Sequence, residues 1–432
     1  MRTVSSCTEI FKNILFAVPL ILLVISTPVY SETSGRIKRD DLYEMSLEEL
    51  MDIEVTVASN VPVPQRESPG VISVITSEEI QKSGASDLEG VLRLVPGFEF
   101  LVDVTGATGI SFRGNIGYIG RVLIMIDGQE LNELLYACTF TGNHYPVNSI
   151  KRIEIIRGPG SSIYGGFAEL GVINIITKSG SEIKGFELGV DYGQMSETFS
   201  HNNLLFSMGS GNSDYDIVVH TFYGKGNRSE RDNIDINGNA FNMAGHSDIN
   251  PFLINASGKF KELSARIIFD KYVTTSREYF GINLSDDYQI DYTSILGELK
   301  YDWRVNRNLT ITPRFNIVNS TPWHSVDDPL DPDAESYMHF DKSVFRRKIN
   351  LTGSYDTDGR VYMAGIEYWQ DKAKHTEGFT HSTFWTGLSE IQYTNLSCFS
   401  QAMLKSELAN FTAGLRYDKH SQYGAAFAPR VS

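Results

Sequence analysis

The sequence predicts an α+β domain followed by an all-β, antiparallel transmembrane barrel. Two observations support this fold class. Helical and strand patterns mix between residues 61 and 180, whereas apolar and polar residues alternate strictly over many segments between residues 181 and 432. Period-two alternation indicates strands with one apolar and one polar face, and helical spacing indicates helices with one buried face.

Composition excludes several functional classes. The chain has 432 residues and a net charge of -15, which argues against a nucleic-acid partner because phosphates require a basic face. Its 21 Tyr, 24 Phe and 37 Gly suit many short strands. The three cysteines (Cys7, Cys138 and Cys398) lie far apart, which predicts neither a disulfide framework nor a metal site.

The N-terminus has the pattern of a secretory signal peptide, residues 1–31. Arg2 and Lys12 give a positive start, and the apolar run from Ile14 to Ile25 is too short for a membrane helix, which needs roughly 20 residues. Residues 32–60 then form a separate N-terminal segment. It contains Glu54 to Val57, a short extended stretch with no strand partner nearby in sequence.

Residues 61–180 read as a compact α+β domain with four strands and two helices. The strands are VISVIT, RVLIMIDG, IKRIEIIRG and GVINIIT. Thr76 with Glu79 and Ser86 with Glu89 predict capping boxes that begin the two helices. Pro96-Gly97 ends the second helix.

Residues 181–432 predict about eleven strands, with a twelfth beginning at the end. In NLTITPRFNI, Phe315 and Ile317 fall on one face and Asn316 on the other. Tight turns near Gly211, Gly258, Asn306, Asp358 and Glu407 alternate with polar loops at 226–249, 275–289, 321–341 and 374–391. This asymmetry is typical of transmembrane barrels. The turn spacing of about 50 residues also suits a β-propeller, but each unit has two long strands rather than four short ones.

The Gly-rich corner IEIIRGPGSSIYG raises the possibility of a phosphate-binding loop. Such a loop requires a Lys before its Ser or Thr, and none is present. Pro159 also lacks the backbone N–H that a phosphate cradle would use. An architectural turn is the better interpretation. With no H-E-x-x-H and no G-x-S-x-G motif either, the sequence predicts no enzyme, no cofactor and no metal centre.

Seven stretches in order resemble the TonB-dependent outer-membrane receptors: EVTVAS, SPGVISVIT, LRLVPGF, SFRG, RVLIMIDG, IKRIEIIRGPGSSIYG and GVINIITK. The resemblance is strongest from Glu54 to Lys178. It implies a plug domain (61–180) inside a barrel of about 22 strands. Residues 181–432 would then be a partial barrel, and the chain an N-terminal fragment. The resemblance implies a location in the bacterial outer membrane, with its lipid as a partner and with residues 32–60 in the periplasm.

The resemblance also implies a function and partners. These receptors take up a scarce nutrient, often a ferric siderophore or cobalamin, with energy delivered by the inner-membrane TonB protein. The expected partners are TonB and a small metal chelate or similar nutrient, with no nucleic acid. A passive channel or surface-binding protein with a plug-like domain is the alternative.

The resemblance assigns candidate residues in three groups. The TonB-box candidate, which could instead be only the first strand of the plug, is Ile53, Glu54, Val55, Thr56, Val57 and Ala58. The plug landmarks are Arg113, Gly114, Asp127, Gly128, Arg157, Gly158, Pro159, Gly160, Tyr164, Gly165, Gly171 and Asn174. The candidate substrate-facing loops contain Asn115, Tyr118, Arg121, Tyr136, His144 and Tyr145. In this family an Arg matching Arg157 is commonly tied into plug–barrel ion pairs.

Overall fold

A computed structural model describes residues 53–58, 62–103, 108–117, 119–279, 281–325, 342–357, 359–375, 388–405 and 409–432. The predicted signal peptide, residues 32–52, Tyr118 and most of the 321–341 loop lie outside the described residues. Within the described residues, none of the helices combines the length and apolar character needed to cross a membrane.

The N-terminal domain contains ten short strands and four helices among the described residues. The strands are β1 (Glu54–Val55), β2 (Val63–Pro64), β3 (Ile72–Thr76), β4 (Phe98–Val102), β5 (Thr108–Phe112), β6 (Asn115–Ile116), β7 (Val122–Ile126), β8 (Gln129–Glu130), β9 (Ile150–Ile156) and β10 (Gly171–Thr177). The helices are α1 (Ser77–Ser83), α2 (Leu88–Leu92), α3 (Ser161–Tyr164) and α4 (Gly180–Ile183), with 3-10 turns at Gln65–Glu67, Val147–Ser149 and Gly166–Ala168.

The domain is built on a five-stranded sheet with the order β3-β9-β10-β7-β8. Within this sheet β7 and β10 are parallel, and the other neighbours are antiparallel. A second sheet has the order β4-β5-β6, and β1 pairs with β2.

The central strands of this domain are apolar on both faces because both faces are covered. All five residues of β7 are buried. On one side Ile124 and Ile173 belong to a core that includes α2. That core continues into the large sheet described below, through residues such as Phe222 and Ile268. On the other side Leu123 and Val172 pack with the N-terminal segment. The domain is therefore stabilised by apolar contacts with both neighbours.

One of the two predicted helix starts is confirmed and one is wrong. Thr76 and Glu79 form the capping box of α1. Helix α2 is capped by Asp87 rather than Ser86: the Asp87 carboxylate accepts hydrogen bonds from Gly90 N at 2.9 Å and from Asn143 N at 2.5 Å. The Asp87 carboxylate therefore accepts from backbone N–H groups of both the helix start and the loop that contains Asn143. The S-x-x-E pattern could not reveal this second, distant donor.

The strands described between residues 185 and 431 form one antiparallel sheet, called the large sheet. It has thirteen strands, including the two-residue β19, against the eleven or twelve predicted. Its order is β11-β12-β13-β16-β17-β18-β20-β21-β22-β23-β24-β25, with β19 on β20. The strands are β11 (Gly185–Gln194), β12 (Phe199–Gly211), β13 (Tyr215–Asn227), β16 (Asp248–Phe260), β17 (Leu263–Tyr279), β18 (Ile282–Tyr301), β19 (Trp303–Arg304), β20 (Leu309–Ser325), β21 (Lys342–Thr357), β22 (Arg360–His375), β23 (Glu390–Lys405), β24 (Asn410–His420) and β25 (Gly424–Val431). A separate hairpin, β14 (Asp232–Ile234) with β15 (Ala240–Asn242), occupies the predicted 226–249 loop.

The predicted alternation of faces is confirmed. In β20, Phe315 and Ile317 are 42% and 40% exposed on the outer face, whereas Asn316 is 6% exposed on the inner face. The inner face contacts the N-terminal domain, and the outer face carries a continuous set of exposed apolar side chains. Such a surface matches a lipid environment better than water.

Two predicted connections are wrong. The turn expected at Gly258 lies at Lys261–Glu262, and Gly258 is inside β16. The long loop expected at 275–289 consists mostly of paired strands, since β17 reaches Tyr279 and β18 begins at Ile282. These strands carry polar residues such as Asp286 and Asp287 near their connection. A polar strand end looks like a loop in sequence because it has no apolar face to mark its period.

The helix cap provides a test of this fold. Asp87→Ala should destabilise the N-terminal domain by about 1–2 kcal/mol, because it removes a helix cap and leaves Asn143 N without its acceptor. Hydrogen exchange measured by mass spectrometry should show faster exchange over residues 88–92. Ser86→Ala is the matched control and should leave exchange unchanged. If the two variants were equally destabilised, the assignment of Asp87 as the cap would be wrong.

Candidate functional site: the N-terminal segment and the domain–sheet interface

Residues Ile53–Ala58 are the described part of the N-terminal segment next to the domain core. Their backbone is held by the side chains of Glu154, Tyr164 and Gln401, which are called the seat. The Glu154 carboxylate accepts hydrogen bonds from Thr56 N and Val57 N, both at 2.9 Å, and from Thr56 Oγ1 at 3.2 Å. Val55, Val57 and Ala58 are fully buried. The expectation of no nearby strand partner is wrong, because β1 pairs with β2 through Glu54–Pro64 and Val55–Val63.

Two further side chains bind the carbonyl groups of this segment. The Tyr164 hydroxyl donates to Val57 O at 2.7 Å, and Gln401 Nε2 from the large sheet donates to Ala58 O at 3.2 Å. Burial, followed by the nearby Glu154 charge, raises the pKa of Tyr164, so its hydroxyl keeps the proton that it donates. Side chains thus hydrogen-bond to four backbone groups of residues 56–58: two N–H groups and two carbonyl groups.

Glu154 is a site residue that sequence reasoning missed. It is fully buried in the middle of β9, and its second oxygen pairs with Arg152 at 2.6 Å. A buried carboxylate is costly unless it is paired and hydrogen-bonded, and here both oxygens are used. A glutamate within the apolar run IKRIEII was the available signal, because it interrupts a strand that otherwise belongs in the core.

The Gly-rich corner contacts the large sheet through Arg416. Arg416 is 2% exposed and donates to Ile163 O at 3.0 Å. It is held by Glu367 and Asp418, each at 2.9 Å. Gly165 has φ +82°, and a Cβ there would lie 3.2 Å from Arg416 Nη2. The corner includes one helical turn, α3, that the sequence did not predict. The corner is therefore an architectural contact shaped to fit a guanidinium.

The expected anchor at Arg157 is not seen in the part of the chain that the structure describes. Arg157 N donates to Val71 O at 2.9 Å, and its carbonyl accepts from Arg113 Nη2 at 3.4 Å, but no ion pair with the large sheet is formed there. Among the described residues, the guanidinium that joins this corner to the sheet belongs to Arg416, which projects inward from the sheet. A family pattern on one domain could not indicate an arginine about 250 residues later in the chain.

The β7–β8 hairpin is bound to the large sheet at four successive residues. Its turn uses Asp127 with φ +48° and Gly128 with φ +82°, as a D-G hairpin signal predicts. The Asp127 carboxylate pairs with Arg266 at 2.8 Å, and Gly128 O accepts from Arg314 at 3.3 Å. The other two contacts are Asn316 Nδ2 to Gln129 Oε1 at 2.6 Å and Lys348 Nζ to Glu130 Oε1 at 2.6 Å.

Within the domain, two further landmarks, Asn174 and Gly171, lie in β10 beside this hairpin. Asn174 Oδ1 accepts from Gly128 N at 3.0 Å, and Thr177 N donates to Asp127 Oδ1 at 2.9 Å. Gly171 begins β10, beside the hairpin in the sheet. Gly160 has space for no side chain, since a Cβ there would lie 2.6 Å from Val172 Cγ2. Gly158 and Gly114, in contrast, have open space around them.

The candidate substrate-facing residues fall into two environments. Arg113, Asn115 and Arg121 are exposed. His144 and Tyr145 are buried against the large sheet, where Asp270 lies 2.8 Å from His144 Nε2 and 3.4 Å from the Tyr145 hydroxyl. Their substrate-facing role remains a prediction. In the described conformation they act as contacts to the sheet.

Tyr136 has a different setting from these two residues. It is half-buried, and its ring lies edge-on to Trp323 with the ring centroids 6.2 Å apart. Lys342 Nζ donates to its hydroxyl at 3.3 Å. Trp323 and Lys342 belong to β20 and β21, at the end of the large sheet that carries the longer connections.

The glycine contact with Arg416 gives a direct test. Gly165→Ala should loosen the N-terminal domain by about 1–3 kcal/mol, because its φ disfavours a Cβ and Arg416 would have to move. Proteolysis of the purified protein should then cut this domain faster. Gly158→Ala, which has open space, should match the wild type. Equal resistance of both variants would show that the contact is not tight.

Comparison with known proteins agrees with this geometry. The family model described as the TonB-dependent receptor plug domain matches residues 64–172. The vitamin B12 transporter BtuB of Vibrio vulnificus is 36% identical over 141 residues, covering 31% of this chain and 22% of that protein. The probable TonB-dependent siderophore receptor PirA of Acinetobacter baumannii is 23% identical over 426 residues, covering 84% of this chain and 54% of that protein.

Solved structures show the same fold. The siderophore receptor PirA from Acinetobacter baumannii superposes with a TM-score of 0.57 at 17% identity, covering 83% of this chain and 58% of that one. The FrpB iron transporter from Neisseria meningitidis gives 0.60 at 14% identity, covering 83% and 61%. The chain thus spans 54% of the length of the Acinetobacter relative and 58% and 61% of the two solved structures. The chain therefore contains a TonB-dependent receptor plug domain, which packs against a large antiparallel sheet with the fold of the receptors that it matches.

Proposed function

We propose that the protein is an outer-membrane receptor for TonB-coupled uptake of a scarce nutrient, a ferric siderophore or a cobalamin-like chelate. The observation that carries the proposal is the plug domain held against the inner face of the large sheet by polar contacts. The named relatives include siderophore receptors and a vitamin B12 transporter. A plug held by such contacts can shift under force without unfolding the sheet.

The outer face of the large sheet supports placement in the outer membrane. The side chains of Phe315, Ile349 and Ile366 lie on the outer face of the neighbouring strands β20, β21 and β22. They are 42%, 57% and 54% exposed. Transmembrane barrels present such an apolar band to lipid, while polar side chains face the lumen. In this placement the connections near residues 212, 261 and 306 face the periplasm, and the hairpin β14–β15 faces the outside of the cell.

The N-terminal segment is the proposed binding site for TonB. Strand addition uses backbone N–H and C=O groups, so a partner can bind an extended segment with little regard to its side chains. In the described conformation Glu154, Tyr164 and Gln401 occupy such groups on Thr56, Val57 and Ala58. TonB would therefore require these bonds to open first, which makes the seat a control point for coupling.

Backbone recognition predicts a difference between two substitutions at one position. Val57→Pro removes a backbone N–H and should abolish TonB-dependent uptake, whereas Val57→Ala should retain most of it. Uptake of ferric enterobactin and of cyanocobalamin would be measured in cells with and without TonB, together with binding to the cell surface. Binding should persist in both variants. Uptake that survives in Val57→Pro, or in cells without TonB, would favour a passive channel instead.

The seat itself can be tested without any substrate. Glu154→Ala should release the N-terminal segment, because three hydrogen bonds to one carboxylate are lost, each worth about 1.5–3 kcal/mol when charged. A nitroxide attached at residue 54 in a variant lacking Cys138 and Cys398 should become mobile. Glu169→Ala, which removes an exposed carboxylate, should leave the label immobile. An immobile label in Glu154→Ala would show that Glu154 does not hold the segment.

A further inference from the structure

A cavity of about 170 Å³ lies between the β7–β8 hairpin of the plug domain and the inner face of the large sheet. The sheet contributes four cations to its lining: Lys300, Arg314, Arg346 and Lys348. It also contributes the carboxylates of Asp302 and Glu367. The plug domain contributes one charged residue to the lining, Glu130.

Glu130 reaches across this space to two of the cations. Its Oε1 lies 2.6 Å from Lys348 Nζ, and its Oε2 lies 3.8 Å from Arg346 Nη1. The side chains of Arg346 and Lys348 are only 8% and 13% exposed. A single carboxylate from the plug is thus shared by two shielded cations of the sheet.

The partners that the sheet itself supplies are already engaged. Asp371 binds Arg346 through both oxygens at 2.6 Å, which leaves Nη1 directed to Glu130. Glu367 lies 3.0 Å from Lys348 but is shared with Arg416 at 2.9 Å. If the plug withdrew Glu130, Lys348 would keep only its contact with Glu367, a carboxylate that Arg416 also binds. A shielded charge without full compensation is unfavourable, so another anion would be favoured in its place.

We infer that Lys348 and Arg346 form a binding site for a carboxylate of the transported nutrient, and that Glu130 fills this site while the plug is seated. The inference rests on the proposed function, because transport is what would displace Glu130. A carboxylate ligand would reproduce the contacts that Glu130 makes, a short bond to Lys348 and a longer approach to Arg346. Asn316 and Arg314, now bonded to Gln129 and Gly128, would extend the polar wall beside it.

The same geometry allows the bound carboxylate to be released. Glu130 returns to the same two cations when the plug reseats, so it competes directly with the bound carboxylate. A structural ion pair that only fastens the plug makes a different prediction, since removing Glu130 would then loosen the plug without creating affinity for a small carboxylate.

Titration calorimetry with citrate as a carboxylate probe separates these possibilities. The full chain would be purified in detergent micelles and titrated at constant ionic strength. Glu130→Gln removes the resident charge at nearly constant volume and should bind citrate at least about 10-fold more tightly than the wild type, or about 1.4 kcal/mol. Adding Lys348→Met to this variant should cancel the gain. Glu169→Gln, an exposed plug carboxylate outside the cavity lining, is the control and should bind as the wild type does.

Because the cations belong to the sheet, the gain is expected even if the plug of Glu130→Gln loosens. A rise in melting temperature of that variant with citrate, absent in Glu130→Gln/Lys348→Met, would give the same answer by an independent readout. An unchanged citrate affinity in Glu130→Gln, or a gain that survives Lys348→Met, would overturn the inference. Neither measurement involves TonB, so a failure here would leave the proposal of coupled uptake to its own test.

Discussion

The inner face of the large sheet carries charged side chains that are shielded from water, and each requires a compensating partner. Arg416, Arg346 and Lys348 are among the least exposed of these. A shielded ion pair contributes little net stability, but breaking it leaves an expensive unpaired charge. The plug must therefore present complementary groups at defined points. This requirement determines where the hairpin and the Gly-rich corner can lie.

Apolar burial and polar contacts have separate tasks in this arrangement. The plug core is continuous with apolar residues of the sheet, which supplies non-directional affinity between the two parts. The hairpin contacts supply register, because charge-assisted hydrogen bonds are short and directional. A plug held only by apolar contact could slide along the wall. Four polar contacts from successive residues define one position for the plug on the sheet.

Glu154 joins the N-terminal segment to the same system. Its carboxylate comes from β9, an interior strand of the plug sheet, and Tyr164, which donates to the segment, ends the short helix beside Arg416. A movement of the Gly-rich corner relative to the sheet would therefore be felt at the carbonyl of Val57. The geometry connects the segment proposed for TonB with the wall of the large sheet through only a few residues.

Much of this fold could be predicted from the sequence by itself. Local signals determined four of the ten strands described in the plug domain, the capping box of α1 and the alternating faces of β20, because each depends on neighbours a few residues apart. Where polar residues continued the strands β17 and β18, the same signals failed. Only the tertiary structure decided which polar groups meet: Asp87 with Asn143, Glu154 with Thr56, Ile163 with Arg416, and Glu130 with Lys348. These partners are distant in the chain, and a charge in a sequence has no visible partner until folding brings the two together.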